Sequence, residues 1–522
     1  MVNEKELEQL PASVRLQVSS MISQFTTLQS QADLLEKENK LLRELIRRFQ
    51  LEKYGPRAEK LNDGQLTLLD AEPSVTAAEV AAEAELASAE LKPAAPRNPK
   101  NQNHPGRIEL PAHLPRREVI IPCPPSECVC GQCGQERPVI GYEVTEELDV
   151  EPAVYFVRQI KREKRGSHCL PEQGVATAPC PAKILPRSKL SNTFIVEALL
   201  QKYEEHKPIY RQCVSLERAT GLELSRETLT RSVLAAGALL QPVAEALAKE
   251  LRAGSYIQAD ETPVPCQTRS QQGKNHQAYL WEISRPGGPV VFYFRMSRGR
   301  AGPLEFLQGF RGVLQTDGYA AYDKLGAGII HAACAAHVRR QFHRAHELAP
   351  KDPVPVEILK MFAELYAIEA QARERNYSTA QRLEARQRES APRLAALKKR
   401  ILEIAQSATP GTQLGKACKY ALGQWTRLEV FLTHPEIEID SNWCENAIRP
   451  LALGRRNWLH IGSAEAGPKV AAIASIIETC HRLEINARQY LSDVLPCLPE
   501  WPINRIAELT PASWQAARSA AK

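Results

Sequence analysis

No apolar run in the 522 residues reaches the ~18 needed for a membrane-spanning helix. The opening Met-Val-Asn-Glu-Lys-Glu-Leu also lacks the hydrophobic stretch of a signal peptide, so a soluble intracellular protein is expected. A large charge imbalance is missing too. With 67 Lys and Arg against 61 Asp and Glu, the net charge of +6 permits nucleic-acid binding without arguing for it, so any such argument must come from local clusters. Residues 71–96 contain no large aromatic and are dominated by Ala and Glu, which leaves them too little surface to build a core of their own. The 13 cysteines are mostly scattered, but Cys123, Cys128, Cys130 and Cys133 stand together. In a reducing compartment such a cluster points to metal before disulfide.

What is present begins with a heptad pattern. Val18, Phe25, Ala32, Asn39 and Ile46 as a positions put Val14, Met21, Leu28, Leu35, Leu42 and Phe49 at d, a continuous seam at 3.5-residue spacing. Asn39 is the polar exception. A buried Asn pair fixes register and two-stranded state, so residues 1–70 read as a leucine-zipper-like coiled coil forming a homodimer. A helix packed within its own chain would carry a similar stripe. Tyr54-Gly55-Pro56 stops the helix, and residues 71–107 form a linker.

Arg158, Lys161, Arg162, Lys164 and Arg165 fall within eight residues opposed by Glu163 alone, the density that phosphate contacts need. An exposed charged strand or loop would read the same way. Cys130-Gly-Gln-Cys133 has the spacing and glycine turn of a zinc knuckle. Apolar spacing is helical from Asn192 to Leu251. There Gly221 separates residues 208–219 from a segment that Ser225 can cap, a helix-turn-helix-like arrangement carrying Arg226 and Arg231. Packing support for a neighbouring domain explains that pair equally well. Residues 256–259, 277–283 and 290–294 then read as strands, 303–310 as a helix and 312–316 as another strand. Residues 356–406, rich in Ala, Leu, Glu, Arg and Lys, read as a helical insertion.

Three acids stand out in this second half. Asp260 and Asp317 each end a short apolar run of strand type, and Glu445 lies among helix formers, so distant segments can bring three carboxylates together. Such a cluster suits two Mg²⁺ ions (or Mn²⁺) roughly 3.5 to 4 Å apart, which activate a hydroxyl and stabilise a leaving oxygen at a phosphodiester. Glu261 and Asp323 compete less well, the first turned to the opposite strand face and the second in a turn. Arg449, Arg455 and Arg456 offer forks for phosphate, and Asn442 a neutral donor; the same arginines suit structural acids equally.

Ala-Asp-Glu-Thr-Pro-Val-Pro (259–265), Leu-Gln-Thr-Asp-Gly-Tyr-Ala-Ala-Tyr (314–322) and residues 442–462, with Arg-Pro-Leu-Ala-Leu-Gly-Arg-Arg-Asn-Trp, closely resemble the insertion sequence 66 family of transposases. The resemblance spans most of the chain. It implies a multidomain α and α/β protein with a ribonuclease-H-like catalytic domain of the DDE type, in which Asp260, Asp317 and Glu445 hold Mg²⁺. It also implies a Cys-x-x-His element at Cys334 to His337, with His337 and Arg340 beside the active site. The family's second cysteine pair would complete a Zn²⁺ site on Cys130 and Cys133. Here Cys169 is present but Glu172 stands where its partner belongs, leaving Cys128, Cys180 or His168 as substitutes. The domains expected are a possible zinc-finger-like module at 108–187, a helical region at 188–252, a catalytic domain at 253–475 with its insertion at about 345–436, and a C-terminal element at 476–522. The expected activity is metal-dependent strand cleavage followed by 3′-hydroxyl strand transfer, on element ends and target DNA, in the bacterial cytoplasm at the nucleoid. Helper proteins of the same element are further expected partners. A structure-specific nuclease on the same fold, or a transposase-derived dimeric DNA-binding protein, are the alternatives.

Overall fold

The computed structural model describes residues 12–54, 154–166, 175–268 and 275–520. They belong to two units: Met1–Ala94 with Pro179–Lys522, and Ala95–Ala178. Cys130, Cys133 and Cys169 lie outside the described residues, as do Cys123, Cys128 and His168. In the smaller unit β1 (Lys164–Gly166) pairs antiparallel with β2 (Val175–Thr177), and Arg158, Lys161, Arg162 and Lys164 are solvent-exposed.

In the larger unit the heptad segment forms one helix, α1 (Ala12–Tyr54). Its seam is open to solvent, with Met21, Phe25, Leu28, Leu35, Ile46 and Phe49 all exposed. Asn39 Nδ2 donates to Leu35 O of its own helix, 3.1 Å away. Among the described residues the last turns are tied down: buried Glu44 accepts from Gln413 N at 2.9 Å.

Three helices follow: α2 (Asn192–Tyr203), α3 (Ile209–Thr220) and α4 (Arg226–Ala253). Gly221, at φ 71°, ends α3 in the left-handed region that glycine adopts without a Cβ clash, and Ser225 Oγ caps α4 through Thr228 N. The capped helix runs on for 28 residues with one buried face, so this pair is continuous with the core; Arg226 and Arg231 remain exposed near its start.

The sheet is mixed and five-stranded, in the order β5-β4-β3-β6-β7, from β3 (Tyr256–Cys266), β4 (His276–Ser284), β5 (Val290–Arg295), β6 (Gly312–Thr316) and β7 (Ile329–Ala333). β3, β4 and β5 are antiparallel, whereas β3, β6 and β7 are parallel. A short helix, α5 (Ala301–Phe306), joins β5 to β6; it overlaps the 303–310 read as helical but starts two residues earlier and ends four earlier. The strand expected at 256–259 continues to Cys266 despite Pro263 and Pro265. Beyond Gln258 the strand pairs with β4 on one side only, so prolines are tolerated where no neighbouring strand needs an N–H. Asp260 therefore lies within β3 rather than at its end.

After β7 come α6 (Ala335–Leu348), α7 (Pro353–Glu374), α8 (Thr379–Ala385), a π-helical turn at Arg386–Ser390, α9 (Ala391–Ser407), α10 (Gln413–Gly423) and α11 (Trp425–Leu428). These helices share an apolar cluster with Tyr256 and Val313 of the sheet. The fully buried Arg386 is satisfied by Glu369 at 2.7 and 2.8 Å and by the carbonyls of Phe431, His434 and Ile437, which fixes the chain entering α12 (Asn442–Trp458). A second cluster joins α4 and α13 (Gly467–Arg482) to the other sheet face; α14 (Ala487–Val494) and α15 (Pro511–Ala520) close the chain. Edge strand β5 is covered by α13, whose Ser475 and Thr479 hydroxyls accept from Phe292 N (2.8 Å) and Val290 N (3.0 Å).

Candidate active site

The two central parallel strands carry the same pattern, Gln258-Ala-Asp260 and Gln315-Thr-Asp317. Gln258 stands opposite Gln315 in the last parallel pair of the two strands, and Asp260 and Asp317 each follow two residues beyond it, Asp317 as the first residue past β6. Side chains two apart share a strand face, so within β3 the Gln and the Asp point the same way.

Both glutamines are fully buried and knit the strands to the segment that delivers Glu445. Gln258 Nε2 donates to Asp440 O at 2.8 Å, and Gln258 Oε1 accepts from Cys444 N at 3.3 Å. Gln315 Nε2 donates to Glu438 O at 2.9 Å, and its Oε1 accepts from the Tyr256 hydroxyl at 2.5 Å. Asp440 accepts from Asn442 N and Nδ2 at 3.1 and 3.0 Å, which fixes the start of α12. Burial pushes the Asp440 carboxyl up to about 6 against the hydrogen bonds of the Asn442 backbone and the Tyr366 hydroxyl. On the far side Cys444 Sγ meets Glu282, the cross-strand partner of Asp260, and Arg482 donates to Trp443 O at 2.6 Å while lying over the Trp443 ring. Burial raises Glu282 to about 7, with Arg482 pulling the other way.

These contacts hold Glu445 in the first turn of α12, the positive end of the helix. Its Oε2 accepts from Arg340 Nη2 at 2.7 Å; its Oε1 lies 3.6 Å from His337 Nε2, buried and without a hydrogen-bond donor. Arg449 is one turn further along the same helix face. Burial, and then the charges of Glu261 and Glu445, push Asp260 up to about 8, with His337 opposing. Asp317 Oδ1 accepts from Tyr319 N at 2.9 Å, and the Tyr420 hydroxyl holds the following Gly318 N at 3.1 Å.

Asp260 and Glu445 are thus within electrostatic reach of each other, but the three acids are not drawn into one tight group. Among the described residues, the potential ligand atoms that lie within 4.8 Å of one another belong to Cys334, His337 and Glu445, because Glu445 is turned toward α6 and Arg340. Burial pushes Cys334 up to about 12, so it stays a thiol and accepts from Ser441 N at 3.2 Å. Carboxylate oxygens with one imidazole fit a hard or borderline divalent cation, and the orphaned buried Glu445 Oε1 is an atom such an ion would satisfy. The competitors are occupied. Glu261 is held by Arg298 at 2.8 and 2.6 Å and by the Tyr322 hydroxyl at 2.9 Å, and Asp323 pairs with Arg427 at 2.6 Å. Arg455 bonds Thr262 Oγ1 at 2.9 Å and Pro263 O, while Arg456 is exposed. Sequence reasoning missed the glutamines, Glu282, Arg298 and Tyr420. The repeated Gln-x-Asp was the signal for the first two.

An acid-lined site of oxygen donors on a mixed α/β sheet is of the class that suits hard divalent cations. The chain belongs to the IS66 transposase family: the family described as "Transposase IS66 family" matches residues 187–469, and that described as "Transposase C of IS166 homeodomain" matches residues 41–119. Similar chains from Sinorhizobium fredii include "Uncharacterized protein y4jD", 32% identical over 427 residues (78% of this chain, 82% of the relative). "Uncharacterized protein y4qI" is 31% identical over 492 residues, covering 90% of this chain and 88% of the relative. Family membership indicates a transposase that binds DNA, and no described helix is long and apolar enough to cross a membrane.

Proposed function

We propose that this chain is the DDE transposase of an insertion sequence, with a ribonuclease-H-like catalytic domain that cuts DNA at the element ends and joins the freed 3′-hydroxyl to target DNA. One observation carries the reading: Asp260, Asp317 and Glu445 come from two register-matched parallel strands and a helix start that the buried glutamines tie to those strands. When bound, Mg²⁺ or Mn²⁺ would supply Lewis-acid stabilisation of the attacking and leaving oxygens. Asp260 and Asp317 would hold the ions from the strands and Glu445 from the helix. Arg340 steadies Glu445 and, with Arg449, offers donors toward phosphate. In the first step a water oxygen bonds to phosphorus, its proton is lost, and the 3′-oxygen leaves as a hydroxyl. In the second that hydroxyl attacks a target phosphodiester and a target 3′-oxygen leaves, so no covalent protein intermediate is needed.

The basic segment from Arg158 to Arg165, with Arg455 and Arg456, would contact DNA, and the α1 seam would pair two copies. The cysteine module at Cys130, Cys133 and Cys169 would hold Zn²⁺. Elemental analysis finding no zinc in metal-replete protein rejects that module, and Cys133→Ser should release the metal without stopping Mg²⁺-dependent nicking.

The decisive experiment mixes purified protein with element-end duplexes, target plasmid and Mg²⁺. Nicking and joined products are expected, and Asp260→Asn, Asp317→Asn and Glu445→Gln should each abolish both while DNA binding persists. Cutting without joining would identify a nuclease instead. Binding without cutting would identify a DNA-binding protein.

A further inference from the structure

A groove of about 460 Å³ opens where the far end of β3, the start of β4 and the C-terminal turn of α12 meet. Pro263, His276, Gln277, Arg455, Arg456 and Leu459 line it, and its lining contains no acid. Among the described residues neither arginine pairs with a carboxylate. Arg455 Nη1 donates to Thr262 Oγ1 and Pro263 O, whereas Arg456 is exposed. The plain explanation for cations here is the helix C-terminus, worth roughly half a negative charge. Two adjacent guanidiniums exceed it several-fold. Burial and the neighbouring Arg456 both hold the Arg455 guanidinium below its usual value, the mark of a positive site short of anions.

The groove is also built rigidly. Leu459 sits at φ 66°, left-handed backbone that is costly for a leucine, and its side chain is exposed. That turn sends the chain back along β3, where Ile461 N donates to Pro265 O and Gln267 N donates to Ile461 O, both at 2.9 Å. One wall is thereby zipped to the strand that carries Asp260. Pro263 is three residues past Asp260, ~10 Å at ~3.3 Å per residue. Arg455 is ten residues past Glu445, about 15 Å along a helix. A DNA strand advances ~3.4 Å per nucleotide along the duplex axis.

Resting on the reading proposed above, the geometry points to this groove as the seat of the phosphodiester backbone of the DNA strand, roughly three to four nucleotides from the scissile phosphate. Arg456 makes the ionic contact, Gln277 lines the opposite wall, and Arg455 braces the floor.

The test uses element-end duplexes in which one phosphate at a time is replaced by a neutral methylphosphonate, stepping away from the cut. Wild-type protein should lose affinity most when the replacement is about three or four positions out. Arg456→Ala should bind roughly five- to tenfold more weakly at 0.15 M salt, lower the salt slope by about 1, and become indifferent to the replacement at that position. Arg456→Lys should restore most of the binding, and Gln277→Glu, which puts an acid in the groove, should weaken it further. An unchanged profile for Arg456→Ala, in a protein that still binds and cuts, overturns the groove assignment alone. Wild-type protein that neither binds nor cuts the duplex overturns both this and the function it rests on.

Discussion

Gln258 and Gln315 occupy positions in two central strands where an apolar side chain would pack, and their amides bond residues 438–444 as well as each other and Tyr256. Gln258→Leu keeps the volume but strands Asp440 O and Cys444 N, so chemical denaturation should show a loss of about 1–3 kcal/mol. Single-turnover cleavage should slow while DNA affinity stays near wild type, because the change loosens the seat of Glu445 and touches no phosphate contact. Equal loss of binding and cleavage would show that the network serves only general stability. The acids stand out in the sequence because Asp260 and Asp317 end apolar runs and Glu445 lies among helix formers, each in a distinctive context. Their supports were not, since a glutamine in a strand reads as a solvent-facing residue until the partner segment, over a hundred residues away, is in view. Glu282 was hidden for the same reason: inside Tyr-Leu-Trp-Glu-Ile it looks like the polar face of an alternating strand, yet it is fully buried against Cys444.

Helix α13 shows how one element is held at several points. Gly237 of α4 lets it approach closely, because a Cβ there would meet Lys469 O at 2.8 Å and Ile473 Cδ1 at 2.9 Å. Gly237→Val should cost about 1–3 kcal/mol through overpacking, read as a lower denaturation midpoint. At the other end of the helix, His481 lies 3.0 Å from Glu204 and 3.6 Å from Glu478, and hydrogen bonds to these two carboxylates push it up to about 10. A histidine raised in the folded state stabilises fully below its unfolded value of 6.5, and that contribution fades as pH climbs from there to about 10. The pair is half-exposed, so the effect is modest. Replacing it by His481→Gln should flatten the fall in Tm across that window, and an unchanged slope would assign the fall to other groups. Element types were readable from periodicity, but the length of β3 was not: Pro263 and Pro265 argue against a strand unless one knows that no strand flanks β3 there on the side away from β4.

On the scale of the whole molecule, α1 presents an apolar seam that is exposed among the described residues. A single helix leaving Met21, Phe25, Leu28, Leu35, Ile46 and Phe49 in water gains by burying them against a second copy. Removing residues 1–55 should convert a dimer to a monomer in light scattering and weaken paired-end synapsis more than single-end binding. An unchanged dimer would move the interface elsewhere. Heptads made this helix legible in sequence, whereas its anchoring through Glu44 to Gln413 depends on residues too distant to pattern with it.

The spacing of these parts along the chain also sets an order in time. The seam of α1 is complete by Tyr54, but the third acid arrives only at Glu445, and the arginine that clamps its helix, Arg482, comes later still. At ~5–20 residues per second of synthesis, the interval is on the order of tens of seconds. With the pairing and the site proposed above, a nascent chain would meet a partner copy before it holds all three acids, and competence to cut would wait for Glu445. On the same proposal, messages broken before residue 445 would yield fragments that pair through α1 but lack the third acid.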